Sequence, residues 1–220
     1  MRGGRKSRLR LRLHRARAEF AEFVTAPTSS VVDLVGGWRG MADALGPHAV
    51  FLIVYLATER VGPSVSSALA VALALSAIRL LKREPLHAAV AGAALVGVSA
   101  LVAATTGEGT DFYLLDIART TILSVVLVAS LAIRRPLLGV LVGRLISGAS
   151  WRSDRVQLRA YDLCTIVWAA AVVLRSVVKI PFYVNDDVVG LGIASIVMGV
   201  PLLLLTTHVQ LGILRRAYVR

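Results

Sequence analysis

A single cysteine, Cys164, in 220 residues rules out an intramolecular disulfide, and its apolar setting marks it as a small packing residue. Acid is scarce, 13 Asp and Glu against 25 Lys and Arg, and charged residues make up only 17% of the chain, below the roughly 25% usual in a soluble domain. The four histidines, His14, His48, His87 and His208, fall in different segments and form no metal-ligand spacing. There is no G-x-x-x-x-G-K phosphate loop, no H-E-x-x-H pair and no paired cysteines. These gaps point away from an enzyme, and they suggest neither a metal nor a cofactor. A secretory signal is also missing, because the basic start leads into polar and acidic sequence instead of an apolar core.

What the chain has in quantity is apolar sequence, 56% of residues, with a mean hydropathy of +0.73. The charges gather in short clusters between long apolar runs, the pattern of a multi-pass membrane protein. The formal charge of +12 then reports orientation and contact with anionic lipid. Nucleic acid is the less fitting partner, since "MRGGRKSRLRLRLHRAR" has no interleaved aromatic residue for base stacking. Residues 1–28 are expected to form a basic cytoplasmic tail, with Arg8, Arg10 and Arg12 against lipid head groups.

Residues 29–46 carry Val31, Leu34, Val35, Trp38, Met41, Ala42 and Leu45 at helical spacing, with Asp33, Arg39 and Asp43 on the other side. Too short and too charged to span, this segment predicts an amphipathic helix in the head-group plane, stopped by Pro47. Six apolar stretches follow, at 48–61, 64–81, 86–105, 112–133, 160–180 and 188–212. The first is short against a span of about 20 residues and is expected to recruit its neighbours.

The stretch "IRRPLLGVLVGRLISG" at 133–148 decides the topology. Its apolar part, 136–147, reaches about 18 Å as a helix, against a hydrocarbon core of about 30 Å. If it crossed, Arg152, Arg155, Arg159, Arg215, Arg216 and Arg220 would all lie outside, against the positive-inside bias. It is therefore expected to be re-entrant or interfacial, with Arg134 and Arg135 at the head groups. The expected fold is an all-α membrane protein. It has six transmembrane helices within 47–214, an N-terminal interfacial helix, a non-spanning helix at 136–147 before the fifth span, and a cytoplasmic C-terminus at 215–220. A weak echo between residues 78–92 and 130–143, each a basic turn followed by proline and helix, fits either an internal duplication or two loops sharing a helix-start signal.

Charges inside the spans are the functional clue, because an ionised side chain at mid-bilayer must pair or face water. Counting about 1.5 Å per helical residue, Asp116 lies about 7 Å, Arg119 about 12 Å and Arg175 about 8 Å from one boundary. Asp162 and Arg79 each lie within about 6 Å of the other. Depth thus permits two cross-helix pairs, Asp116 with Arg175 and Asp162 with Arg79, while Lys179 and Arg79 are alternatively free to snorkel. Such pairs either hold the bundle together or line a water-filled cavity around Asp116, Arg119 and Arg175. Tyr113, Tyr161, Tyr183, Trp38 and Trp151 fall near expected span ends, as an aromatic belt would.

The blocks "DLVGGWRGM", "DFY", "RRPLLGVLVG" and "WRSDRVQLRAYDLCTIVWAAAVVLRSVVKIPFY" together resemble an actinobacterial integral-membrane family known only as a domain of unknown function. The likeness runs over roughly residues 31 to 216. A fainter likeness, through Pro136, Leu137, Trp151 and Trp168, is to the intracellular septation protein A family of bacterial inner-membrane proteins, which is linked to envelope integrity and division. The first resemblance implies a bacterial plasma-membrane protein and supplies no site residues. The expected function is a small transporter or channel-like protein for an ion or small polar solute. The alternative is a structural scaffold for envelope or division partners. A homo-oligomer that encloses a path between subunits is compatible with so small a chain.

Overall fold

The computed structural model describes residues 37–82, 86–143 and 155–218, and these are helical almost throughout, with no strand among them. In chain order they form α1 (Gly37–Thr58), α2 (Val61–Leu81), α3 (Leu86–Thr106), a 3-10 turn (Thr110–Tyr113), α4 (Leu114–Ala132), a π-turn (Gly139–Gly143), α5 (Arg155–Val184), α6 (Val188–Val197) and α7 (Val200–Tyr218). Five stretches are long and apolar enough to cross a membrane: Gly40–Thr58, Val61–Leu81, Thr110–Ala132, Leu158–Val184 and Val188–Ala217. A shorter apolar stretch, Gly92–Thr106, lies in α3. In order, these correspond to the six expected spans.

Burial differs from that of a water-soluble bundle, with many large apolar side chains exposed and several polar ones buried. Ile53, Leu56, Leu73, Leu101, Ile122, Val125 and Val177 are exposed, whereas Ser64, Ser99, Asp111, Asp116, Thr120, Ser176 and Lys179 are buried. In lipid the apolar side chains need no cover and the polar ones do. Several hydroxyls inside the helices are satisfied locally, as where Ser64 donates to the Arg60 carbonyl at 2.7 Å and Thr165 to that of Tyr161 at 2.8 Å.

The expected break at Pro47 is absent. α1 runs through it, so residues 37–46 of the expected interfacial helix and the short first span form one helix. Proline removes one backbone bond, to the Asp43 carbonyl, and transmembrane helices tolerate that loss. The Pro47 ring is fully buried, and the Asp43 carboxylate, which argued for an interfacial position, is paired with Arg79. Residues 29–36, like the basic tail with Arg8, Arg10 and Arg12, lie outside the described residues. So do residues 144–147 of the 136–147 segment, whose described part includes the π-turn.

The described residues form two compact units. One comprises α1 to α3, the 3-10 turn, residues 114–122 of α4, residues 172–184 of α5, α6 and residues 200–204 of α7. Its core joins Phe51, Val65, Ala68, Ala72, Val96, Ala100, Phe112, Tyr113, Ile117 and Leu191. Small residues on α2 and α3 let these helices approach closely. Phe51 stacks on Phe112 with ring centroids 4.2 Å apart, and Tyr113 stands edge-on to both. On α6, a Cβ at Gly192 would come within 2.6 Å of Leu52, so the "GLGIAS" glycines serve helix packing.

The other unit holds residues 123–132 of α4, the π-turn, residues 155–171 of α5 and residues 205–218 of α7. Leu127, Ala160, Tyr161, Cys164, Ala169 and Leu211 are among its buried residues. The Gln210 amide donates to the Cys164 carbonyl at 3.1 Å, and the Cys164 thiol to the Gln210 carbonyl at 3.8 Å, clasping α5 to α7. At the end of α4, Arg134 takes a left-handed conformation, φ 53°. Arg135 donates its N–H to the Ser130 carbonyl, closing the helix, and both arginine side chains point outward and are exposed.

Candidate functional site

The site begins with a carboxylate where a helix starts. The 3-10 turn leads directly into α4, so Asp116 sits in the first turn of that helix, where the free N–H groups and the helix dipole favour negative charge. Arg119 is one turn further along the same face and donates to Asp116 Oδ1 at 2.9 Å. From α5, Arg175 and Lys179 share a face because they are four residues apart. Arg175 donates to Asp116 Oδ2 at 2.9 Å and Lys179 to the same oxygen at 2.6 Å. One carboxylate thus receives three cationic donors.

The expected cross-helix pair of Asp116 with Arg175 is present, and Arg119 joins it. Lys179 does not snorkel, since its side chain has no exposed surface. α5 continues through Pro181 to Val184, which carries Lys179 further inside than a span ending near residue 180 would. The signal in the sequence that points to it is its i,i+4 relation to Arg175. The second expected pair is corrected: Arg79 binds Asp43 of α1 instead of Asp162. Asp162 is half-buried and forms no ion pair among the described residues. Sequence reasoning missed Asp43 as a partner by assigning it to a helix outside the bilayer.

The aromatic belt is corrected too. Tyr113 and Tyr161 are buried, and Tyr183 donates to Asp111 at 2.7 Å. The side chains of Trp38 and Trp151 lie outside what the structure describes.

Beside the charge cluster is a cavity of about 380 Å³. Asp116, Arg119 and Arg175 line it together with His48, Ser99 and Ser195, and its remaining wall is largely apolar. His48 closes one part of the wall, its ring 5.7 Å from that of Phe112. Two polar atoms on residues lining this space, Arg175 Nε and Ser195 Oγ, are buried without a hydrogen-bond partner. Among the described residues no group of His, Cys, Asp and Glu gathers as a metal site would require.

Helices of this length and hydropathy, with polar groups turned inward and a carboxylate–cation cluster among them, define an integral membrane protein of the all-α class. The chain belongs to the family described as Protein of unknown function (DUF3159), whose model matches residues 35–220. That agrees with the family of unknown function expected from the sequence blocks, while an actinobacterial source and the likeness to intracellular septation protein A form no part of the match. No curated protein and no solved structure matches the chain.

Proposed function

We propose that this protein is a small transporter or channel-like protein that moves an ion or small polar solute across the bacterial plasma membrane. The observation that carries this reading is the cavity beside the four-residue charge cluster, set among helices long enough to span. Charge buried in a membrane segment is costly, and where it adjoins a cavity it is the usual mark of a solute or ion path. A purely structural ion pair would need one cation for one carboxylate. Here there are three, and two of them face open space. On this reading the chain catalyses no covalent chemistry, both termini are cytoplasmic, and the exposed Arg134 and Arg135 meet anionic head groups.

The test is flux in proteoliposomes, comparing wild type with Arg119→Leu and Asp116→Asn over protons, alkali cations, halides and small organic anions. The expected result is a flux that wild type supports and both variants lose, although Arg119→Leu still folds, because 59% of the Arg119 side chain is already exposed. Flux that survives Arg119→Leu would remove the path from this cluster. Silence from folded wild-type protein across the panel would favour a structural scaffold.

A further inference from the structure

The cavity's chemistry goes further than a polar path. With all four groups ionised, Arg119, Arg175 and Lys179 against Asp116 leave an excess of two positive charges, or of one even with Lys179 neutral. Asp43, which also lines the cavity, is already paired with Arg79 and offsets none of this excess. In a low-dielectric setting an uncompensated cation pair calls for an anion. The roles within the cluster are also divided. Lys179 is fully buried against Asp116 and is not among the residues lining the cavity, whereas Arg119 and Arg175 are. Asp116 therefore holds the two guanidinium groups in place and leaves donors over.

The donors left over are specific. Arg175 Nε is buried and unpaired, Arg119 binds Asp116 through one terminal nitrogen, and the Ser195 hydroxyl, on a residue only 5% exposed, has no partner. Buried donors without partners are uncommon in folded proteins and mark a place where a ligand or water completes the structure. The cavity is also lined by Leu45, Leu95, Val96, Val200 and Leu203. A halide or inorganic oxoanion would satisfy the cationic end and leave this apolar wall in contact with nothing. A volume of about 380 Å³ lies near the lower end of ligand pockets, about 300–1,000 Å³, which suits a molecule of modest size.

We propose that this cavity binds a small organic anion, its carboxylate held by Arg119, Arg175 and the Ser195 hydroxyl and its short apolar body against Leu95 and Leu203. The proposal rests on the transport reading for its purpose but not for its test, which is equilibrium binding. Planar guanidinium groups match a carboxylate geometrically as an ammonium does not.

The experiment is isothermal titration of the full chain in non-ionic detergent with butyrate, with chloride, inorganic phosphate and micelles containing phosphatidylglycerol titrated in parallel. Saturable butyrate binding is expected, with chloride and phosphate at least about tenfold weaker because they forgo the apolar wall. Arg119→Gln should weaken butyrate by about tenfold through loss of a charge-assisted bond. Ser195→Ala should weaken it several-fold while the thermal unfolding of the unliganded protein stays at the wild-type value. That second variant separates lost binding from lost folding.

No saturable butyrate binding, or equal binding by chloride and phosphate, overturns the proposal. Binding by phosphatidylglycerol micelles that butyrate does not displace also overturns it, and assigns the donors to a lipid phosphate. Butyrate binding without flux of any solute would leave this site standing and remove the transport reading. Cation flux without anion binding would do the reverse.

Discussion

Asp116 accepts from Arg119, Arg175 and Lys179 at once, so its removal leaves cations buried or facing the cavity without a counter-charge. Breaking a buried ion pair by deleting one partner costs about 3–5 kcal/mol, and Asp116→Ala is expected to destabilise the protein by that order, measured by thermal unfolding in detergent. Lys179→Met alone should cost less, because Asp116 keeps both arginines. The double variant Asp116→Asn with Lys179→Met removes one charge of each sign and should recover part of the loss. Additive losses in that cycle would show that the two side chains do not interact. At this scale the sequence revealed Asp116 and Arg175 through depth alone. It hid Lys179 and Asp43, because each was assigned to the edge of a helix that in the folded protein extends further.

A proline lies at each of those misjudged edges. Pro47 and Pro181 lie inside α1 and α5, and in water each would be a reasonable place to end a helix. In a membrane segment, ending the helix would expose several unpaired backbone groups to lipid, whereas continuing it forfeits about one bond. Continuing therefore wins. Helix contacts are the other matter decided between elements. Gly192 faces Leu52 so closely that an added methyl would meet it at 2.6 Å, while Gly97 on α3 has nothing within 4 Å. Gly192→Ala is expected to destabilise by about 1–3 kcal/mol through overpacking, and Gly97→Ala to be neutral or stabilising by up to about 1 kcal/mol. Unfolding in mixed micelles would compare them. Equal effects would mean that α6 does not pack on α1 in this way.

For the molecule as a whole, the proposed topology has six crossings with both termini on the cytoplasmic side, the side that the positive-inside bias favours. Single cysteines introduced at Arg135 and at Asn185 in a Cys164→Ala background are expected to be labelled from opposite faces of oriented vesicles, Asn185 from outside. Labelling of both from one side would mean that an even number of segments crosses between them, as it would if 136–147 crossed in addition to α5. The flux and binding experiments ask what passes through this frame, and topology asks only which way it faces.

The sequence by itself determined the class of protein, the order of its apolar helices and the excess of cationic over acidic charge, and it permitted the pairing of Asp116 with Arg175. All of these follow from local composition and from distance along a helix, quantities a linear chain already contains. Tertiary structure alone decided that Lys179 and Arg119 converge on the same carboxylate, that Asp43 takes Arg79, that Tyr113 is core and not interface, and that a cavity with unpaired donors opens beside them. Those facts depend on which faces of different helices meet. In lipid that choice is made by close packing and polar pairing between helices instead of by hydrophobic burial, so apolar periodicity carries little trace of it.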